Sequence, residues 1–165
     1  MRVYLPSTTT GLRSLVDSGA LGGASMTAFA VTPGLREWYV DDDLEELEYA
    51  ATMEAARASL RLLDGDPAAA RRRVVLAADV ADSAVTVRDD LDRGVVHVAG
   101  PLSLPHVLAV HVDSADAEAA VAVAAQLIAA ADLGDLAAQD AVDDAEGCEL
   151  CWYASQEIAV FVDLL

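Results

Sequence analysis

A junction that occurs four times constrains this chain more than any other feature: a short strand pattern runs directly into a helix-capping residue. The junctions lie at Tyr4 with Ser7, Val31 with Thr32, Val112 with Ser114, and Tyr153 with Ser155. Serine and threonine before a helix accept a hydrogen bond from an unpaired N–H of its first turn, so each marks a helix start. The pattern predicts two β-α-β-α blocks.

Between the blocks lies Val74–Val80, a continuous apolar run of strand length that is typical of a central strand covered on both faces. Strands that alternate with helices in this way predict an α+β fold. We expect a mixed sheet of about five or six strands with helices mainly on one face, ferredoxin-like or related. The 165 residues contain no linker rich in proline, glycine or serine, so residues 1–165 predict a single domain.

The clearest helix begins at Asp43, which forms a capping-box pattern with Glu46. Apolar residues then recur in steps of three and four as far as Leu62, which indicates one buried stripe. A short helix behind Thr32-Pro33 is expected to carry Trp38 and Tyr39.

The remaining segments have weaker sequence patterns. Residues 83–100 predict two strands around an acidic turn, and residues 132–147 predict an acidic loop with at most one helical turn. A strand is predicted at Glu149–Tyr153. A helix follows to Leu165, with a strand at Ile158–Val162 as the alternative.

The charge is strongly negative: 28 acidic residues face 10 basic ones, for a net charge of −18. Such a charge keeps a protein soluble and repels polyanions. Nucleic-acid surfaces need Lys and Arg to displace phosphate counterions, and the one basic run here is Arg71–Arg73. We therefore expect no nucleic-acid partner.

Lysine and asparagine, whose codons are AT-rich, are both absent. Their absence indicates a GC-rich genome, most simply that of an actinobacterium, with a halophile as the alternative. The N-terminus shows no signal-peptide pattern, and the alanine-rich stretch 115–131 is interrupted by charges and too short to span a bilayer. The two cysteines form no disulfide framework. These features predict a cytoplasmic protein without a membrane partner.

The residues exclude several chemistries. Without lysine there is no P-loop, no Schiff base for pyridoxal phosphate and no kinase nucleotide site. The motifs G-x-G-x-x-G, G-x-S-x-G and H-E-x-x-H are also absent. We therefore predict no catalytic residue, no cofactor and no metal, and these absences favour a non-enzyme without deciding the question.

Two weaker patterns keep a metal-assisted enzyme as the alternative. His97 with His106 or His111, and Asp113 as a third ligand, would supply donors if their strands were neighbours. Cys148-Glu-Leu-Cys151 has the C-x-x-C spacing of redox and zinc sites, but the predicted strand follows the first cysteine, which reverses the usual redox context. The acidic residues 41–48 are better explained as a helix start, where carboxylates favour the helix dipole.

The aromatic residues are the best candidates for a binding site. Four of only eight lie in two adjacent pairs, Trp38-Tyr39 and Trp152-Tyr153. Neighbours in a strand face opposite sides, so one member of a pair can lie in the core while the other is exposed. The exposed members would form a ligand or partner site with nearby polar groups. The predicted site residues are Trp38, Tyr39, Tyr49, Trp152, Tyr153, Arg36 and Glu157.

Five runs carry a family resemblance: Val3–Pro6, Ala30–Tyr39, Glu45–Tyr49, Arg72–Asp79 and Trp152–Glu157. In these runs the chain resembles a family of small actinobacterial proteins, a domain of unknown function, over nearly its whole length. The resemblance implies source and compartment but no activity. We therefore expect a non-catalytic cytoplasmic domain that binds a protein partner, itself as a homo-oligomer, or a small ligand.

Overall fold

The computed structural model describes residues 1–165, which form nine strands and six α-helices. The strands are Arg2–Ser7 (β1), Ala20–Leu21 (β2), Ser25–Phe29 (β3), Val74–Asp79 (β4), Val85–Val87 (β5), Val95–Ala99 (β6), Leu102–Ser103 (β7), Val107–Asp113 (β8) and Leu150–Ala154 (β9). The α-helices are Thr9–Ser18 (α1), Pro33–Trp38 (α2), Leu44–Asp64 (α3), Glu118–Asp132 (α4), Leu136–Glu146 (α5) and Ile158–Asp163 (α6).

Seven strands form one sheet in the order β5-β6-β3-β1-β4-β8-β9, and β2 pairs with β7 separately. Every pair is antiparallel, so the prediction of a mixed sheet of five or six strands is wrong on both counts. The connection from β3 to β4 contains α2 and α3 and passes over the intervening β1, which is a split β-α-β arrangement. The predicted central strand is confirmed as β4, which lies between β1 and β8.

Helices cover both faces of the sheet, which corrects the prediction that they lie mainly on one. Val3 and Leu5 of β1 pack in a core with Leu12 of α1 and Ile158 of α6. Tyr4 points the other way and packs in a second core with side chains of α3. The helices α4 and α5 pack beside α3 in a third cluster rich in alanine. Because neighbouring residues of β1 are buried on opposite faces, the fold has three layers.

The observed caps explain where three helices start. Thr8 accepts a hydrogen bond from Gly11 N at 3.1 Å, so Thr8 and not Ser7 caps α1. Thr32 caps α2 through Leu35 N at 3.2 Å, as predicted. Asp43 accepts from Glu45 N at 2.9 Å at the start of α3. Glu45 and Glu46 lie in the first turn of α3, so these two acidic residues and Asp43 belong to a helix start.

The last third of the chain differs from the prediction in two places. The supposed acidic loop contains α5, an 11-residue helix that Asp135 caps by accepting from Ala138 N at 2.8 Å. Ser114 and Ser155 make no capping bond with their side chains, because a 3₁₀ turn precedes each helix, at Ala115–Ala117 and Ser155–Glu157. The segment after β9 is helical, so the alternative strand at Ile158–Val162 is wrong.

No helix combines the length and the apolar character needed to cross a membrane.

Candidate functional site

A cleft of about 790 Å³ lies between α3 and the β8–β9 side of the sheet and is called here the α3–β9 cleft. The strand register builds its floor. Tyr4 pairs with Ala77, Ala77 with Ala109, and His111 of β8 with Trp152 of β9. Residues directly opposite in antiparallel strands share a face, so these side chains lie together.

The walls come from two separate segments. The first turns of α3 supply Glu48, Tyr49, Thr52 and Met53 on one side. The segment Glu146–Leu150, between the end of α5 and the start of β9, forms the other side. The helix α3 covers β1, β3 and β4, and the sheet beyond it towards β9 is left open as the cleft.

A buried arginine fixes the second wall. Arg73 Nη2 donates to the carbonyl of Cys148 at 2.9 Å, and the rest of its guanidinium pairs with Asp113. The side chains of both members of this pair are fully buried. Arg73 Nη1 is buried and has no hydrogen-bond partner. Cys148 is therefore held against the end of β8 and the beginning of β4.

The cleft is rich in negative charge. Its charged lining residues are Arg2 and three glutamates, Glu48, Glu146 and Glu149. Arg2 Nη1 lies 3.9 Å from Glu48 Oε1, and Arg57 Nη1 lies 3.6 Å from Glu146 Oε1. No ion pair involves Glu149. A cation is the natural complement of this lining.

Two titratable groups on the floor are shifted by burial. Burial lowers the pKa of His111, because the charged imidazolium loses hydration, and so it favours the neutral ring. Burial also raises the pKa of Tyr4, with the nearby charge of Glu48 acting in the same direction. Both residues therefore offer neutral polar groups to a ligand.

The predicted aromatic residues occupy different positions around this cleft. Tyr49 and Trp152 line it and are 66% and 61% exposed. Trp38 and Tyr39 line a neighbouring groove of about 360 Å³, which shares Tyr49 and Met53 with the cleft. The Arg93 guanidinium lies 3.5 Å above the ring of Trp38, so that ring already has a cation, whereas Trp152 has none.

The other predicted site residues lie elsewhere. Tyr153 faces the opposite side of the sheet from Trp152 and stacks on Phe161, with ring centroids 4.5 Å apart. Glu157 lies near Tyr153 in a third hollow beside α6. Arg36 pairs with Asp42 on the surface and lines neither the cleft nor the groove. The structure thus brings Tyr49 and Trp152 together and leaves Tyr153, Glu157 and Arg36 apart.

The donors suggested for a metal site do not meet. His97 is on β6 and His111 is on β8, with β3, β1 and β4 between them. The carboxylate of Asp113 forms an ion pair with Arg73 and is not free to bind a metal. No group of three His, Cys, Asp or Glu side chains is placed to hold a metal ion.

The two cysteines are free thiols in different settings. Cys148 follows the carboxyl end of α5 and lines the cleft, and Cys151 lies within β9 opposite Val112. A redox cysteine is usually activated at the amino end of a helix, and Cys148 has the opposite end beside it.

Sequence reasoning missed the floor of the cleft. Tyr4, His111 and Cys148 come from distant segments, and their meeting depends on the order β1-β4-β8-β9. The available clue was the alternation in β8, which places Ala109 and His111 on one face.

The chain thus forms an antiparallel α+β domain with an acid-rich cleft bordered by aromatic side chains. It belongs to the family of unknown function DUF6912, whose family model matches residues 1–162. No curated protein and no solved structure matches it.

Proposed function

We propose that the protein is a non-catalytic binding domain whose site is the α3–β9 cleft, and that its ligand joins an apolar body to a positive charge. The observation that carries the proposal is the exposed ring of Trp152, which borders a hollow lined by Glu146 and Glu149. An exposed tryptophan beside a concave surface is typical of recognition sites, since it offers a large contact area at little entropic cost.

The size of the cleft supports a small ligand or a single large side chain. Its volume of about 790 Å³ falls within the range of known small-molecule sites, roughly 300–1,000 Å³. Met53, Leu108 and Leu150 supply apolar surface, and Thr52 and His111 supply polar groups. Nine of the sixteen lining residues are hydrophobic and the others are mainly charged or polar, so the cleft combines apolar surface with groups that can orient a ligand.

The charge determines which ligand fits. A cation gains from Glu149 and from the faces of Tyr49 and Trp152, which attract positive charge. An anion meets three glutamates here and the net charge of −18 at a distance. The proposed ligand is therefore cationic.

A fluorescence titration tests the proposal. The chain has two tryptophans, so the Trp38→Phe variant leaves Trp152 as the sole reporter. 2-Phenylethylamine and phenylacetate share a ring and differ in charge. We expect the amine to change the emission of Trp152 and to bind about tenfold tighter, which a single close charge contact supplies.

Two variants serve as controls. Trp152→Phe, which retains only Trp38, should show no change on addition of the amine. Glu149→Gln should weaken amine binding without affecting the fold, because Glu149 is exposed and makes no ion pair. Equal binding of amine and acid, or an unperturbed Trp152, would contradict the proposal.

We also propose a setting for this function. The two free cysteines support a reducing cytoplasm, and the absence of lysine and asparagine supports an actinobacterial source. The split connection β3-α3-β4 across β1 supports a relation to ferredoxin-like folds.

A further inference from the structure

The strand β9 is the last in the sheet and pairs on one side only, with β8. The N–H of Ala154 donates to Glu157 Oε2 at 2.7 Å, so it points away from β8. The direction of backbone groups alternates along a strand, and therefore Leu150 and Trp152 also turn their N–H and C=O outward. These groups form an open hydrogen-bonding edge.

The two ends of the sheet differ in protection. At the other end, β5 has only three residues, and Arg88 and the acidic turn follow it directly. Short strands and charged neighbours are the usual means of blocking an edge. The strand β9 has five residues, Leu-Cys-Trp-Tyr-Ala, with no charge and no proline. It is the edge that can accept another strand.

A hollow flanks β9 on each face of the sheet. Trp152 and Leu150 border the α3–β9 cleft. On the other face, Tyr153 borders a hollow of about 410 Å³ beside α6, lined mainly by Val160, Phe161, Leu164 and Leu165. Of these, Val160 is 65% and Leu164 81% exposed. A strand added at β9 would direct alternate side chains into the two hollows.

Charge selects among possible occupants. Glu149 precedes β9 and Glu157 follows it, and the cleft beside it adds Glu48 and Glu146. A second copy of this chain would bring another −18 and the same glutamates to the contact. Repulsion of like charges disfavours that pairing, and a basic segment is favoured.

We propose that β9 binds an extended basic peptide as an added antiparallel strand. Its basic side chains lie on the cleft face, and its apolar side chains lie on the face of Tyr153 and Phe161. In such binding the backbone hydrogen bonds supply affinity and the two hollows supply the sequence preference. The inference rests on the proposed function, since the cleft is the part that receives the cations.

Backbone methylation of a peptide tests the inference on the intact protein. The probe is a peptide of about eight residues that alternates arginine and valine, with blocked ends. In antiparallel addition, the residues hydrogen-bonded to Leu150 and Trp152 share their face, the cleft face, so they are the arginines. N-methylation of every arginine should therefore weaken binding at least about tenfold, whereas N-methylation of every valine should leave it within about twofold.

Two further measurements complete the test. The amide protons of Leu150 and Trp152 should exchange more slowly once the peptide binds, and a glutamate–valine peptide should not protect them. Any other methylation pattern overturns the inference. Protection of these amides without peptide that increases with protein concentration also overturns it, because a second copy then occupies the edge.

The result separates this inference from the proposed function. If 2-phenylethylamine binds at Trp152 but methylation of the arginines has no effect, the cleft is a ligand site and strand addition fails. If the peptide behaves as expected but the amine does not bind, strand addition stands and the small-ligand function fails.

Discussion

Arg73 and Asp113 form a fully buried ion pair that joins three parts of the chain. Arg73 Nε donates to Oδ2 of Asp113 and Nη2 donates to Oδ1, both at 2.8 Å. The backbone N–H of Arg73 donates to the same carboxylate at 2.7 Å. Through Nη2 the arginine also holds the carbonyl of Cys148. The pair therefore connects the start of β4, the end of β8 and the segment that walls the cleft.

Arg73→Met should lower the free energy of unfolding by about 3–5 kcal/mol, because it leaves the carboxylate of Asp113 buried without its partner. Urea denaturation measures the loss. Arg72→Met is the matched control at the neighbouring position. Arg72 pairs with the exposed Glu118 at 2.9 Å, and such a surface pair contributes at most about 1 kcal/mol. An equal decrease in the free energy of unfolding for the two variants would show that the buried pair stabilises the fold no more than the surface pair does.

Gly34→Ala should destabilise the start of α2 by about 1 kcal/mol, the usual contribution of a helix cap. Gly34 N donates to Asp89 Oδ2 at 2.9 Å, and an added Cβ would lie 2.6 Å from Asp89 Cγ. The carboxylate must then move away from its donors. Gly23→Ala is the control, since a Cβ at Gly23 meets no atom within 4 Å. Thermal unfolding of both variants checks the expectation, which fails if they are equally stable.

Asp89→Asn should change the response of stability to acid. Burial acts to raise the pKa of Asp89, but hydrogen bonds from Thr32, Gly34 and Gly94 outweigh it, and the pKa is lowered. A carboxyl whose pKa is lower in the folded state stabilises the fold above its unfolded pKa of about 3.9, and that contribution disappears as the pH falls through the folded value.

The variant should therefore have a lower free energy of unfolding than the wild type at pH 7. This difference in free energy should narrow below about pH 4. Urea denaturation over a pH series measures it. A gap that stays constant with pH would contradict the assigned shift.

His111→Gln should weaken the pH dependence of stability in a different range. Burial lowers the pKa of His111 in the folded protein. As the pH falls below about 6.5, the unfolded chain therefore takes up a proton first and stability decreases. The variant should lose less stability between about pH 6.5 and pH 5.

The other charged residues of the cleft are Arg2, Glu48, Glu146 and Glu149, and all of them remain in this variant. His106→Gln is the control, because His106 lies outside the cleft near the carbonyl of Asp79. If both variants follow the wild-type profile, His111 is not the group that titrates.

Much of the architecture could be predicted where local and tertiary preferences agree. The sequence of Val74–Val80 predicts a buried strand because both its faces are covered. The 21-residue helix α3 is also predictable, because apolar residues recur every three or four positions along it. The helix α5 was missed because its buried residues, Ala138, Val142 and Ala145, are small and lie among acids. A weak apolar stripe of this kind resembles a loop until a neighbouring helix such as α4 covers it.

The candidate site could be predicted only in part. Tyr49 and Trp152 stand out because large aromatic residues are scarce in this chain, and both border the cleft. Their common location depends on which strands pair, and strand order follows from long-range packing that no local pattern encodes. The different roles of Tyr153 and Trp152 also depend on this long-range packing. Tyr153 packs against the core around α6 on the other face of the sheet.

The position of β9 at the edge of the sheet also has a consequence for biosynthesis. The floor of the cleft combines Tyr4 with Trp152, which are joined by most of the chain. During translation the earlier strands can pair before β9 exists, so β8 remains an exposed edge until residues 150–154 have been made. A nascent chain therefore completes the α3–β9 cleft only after residues 150–154 have been made, and until then its unpaired edge is that of β8.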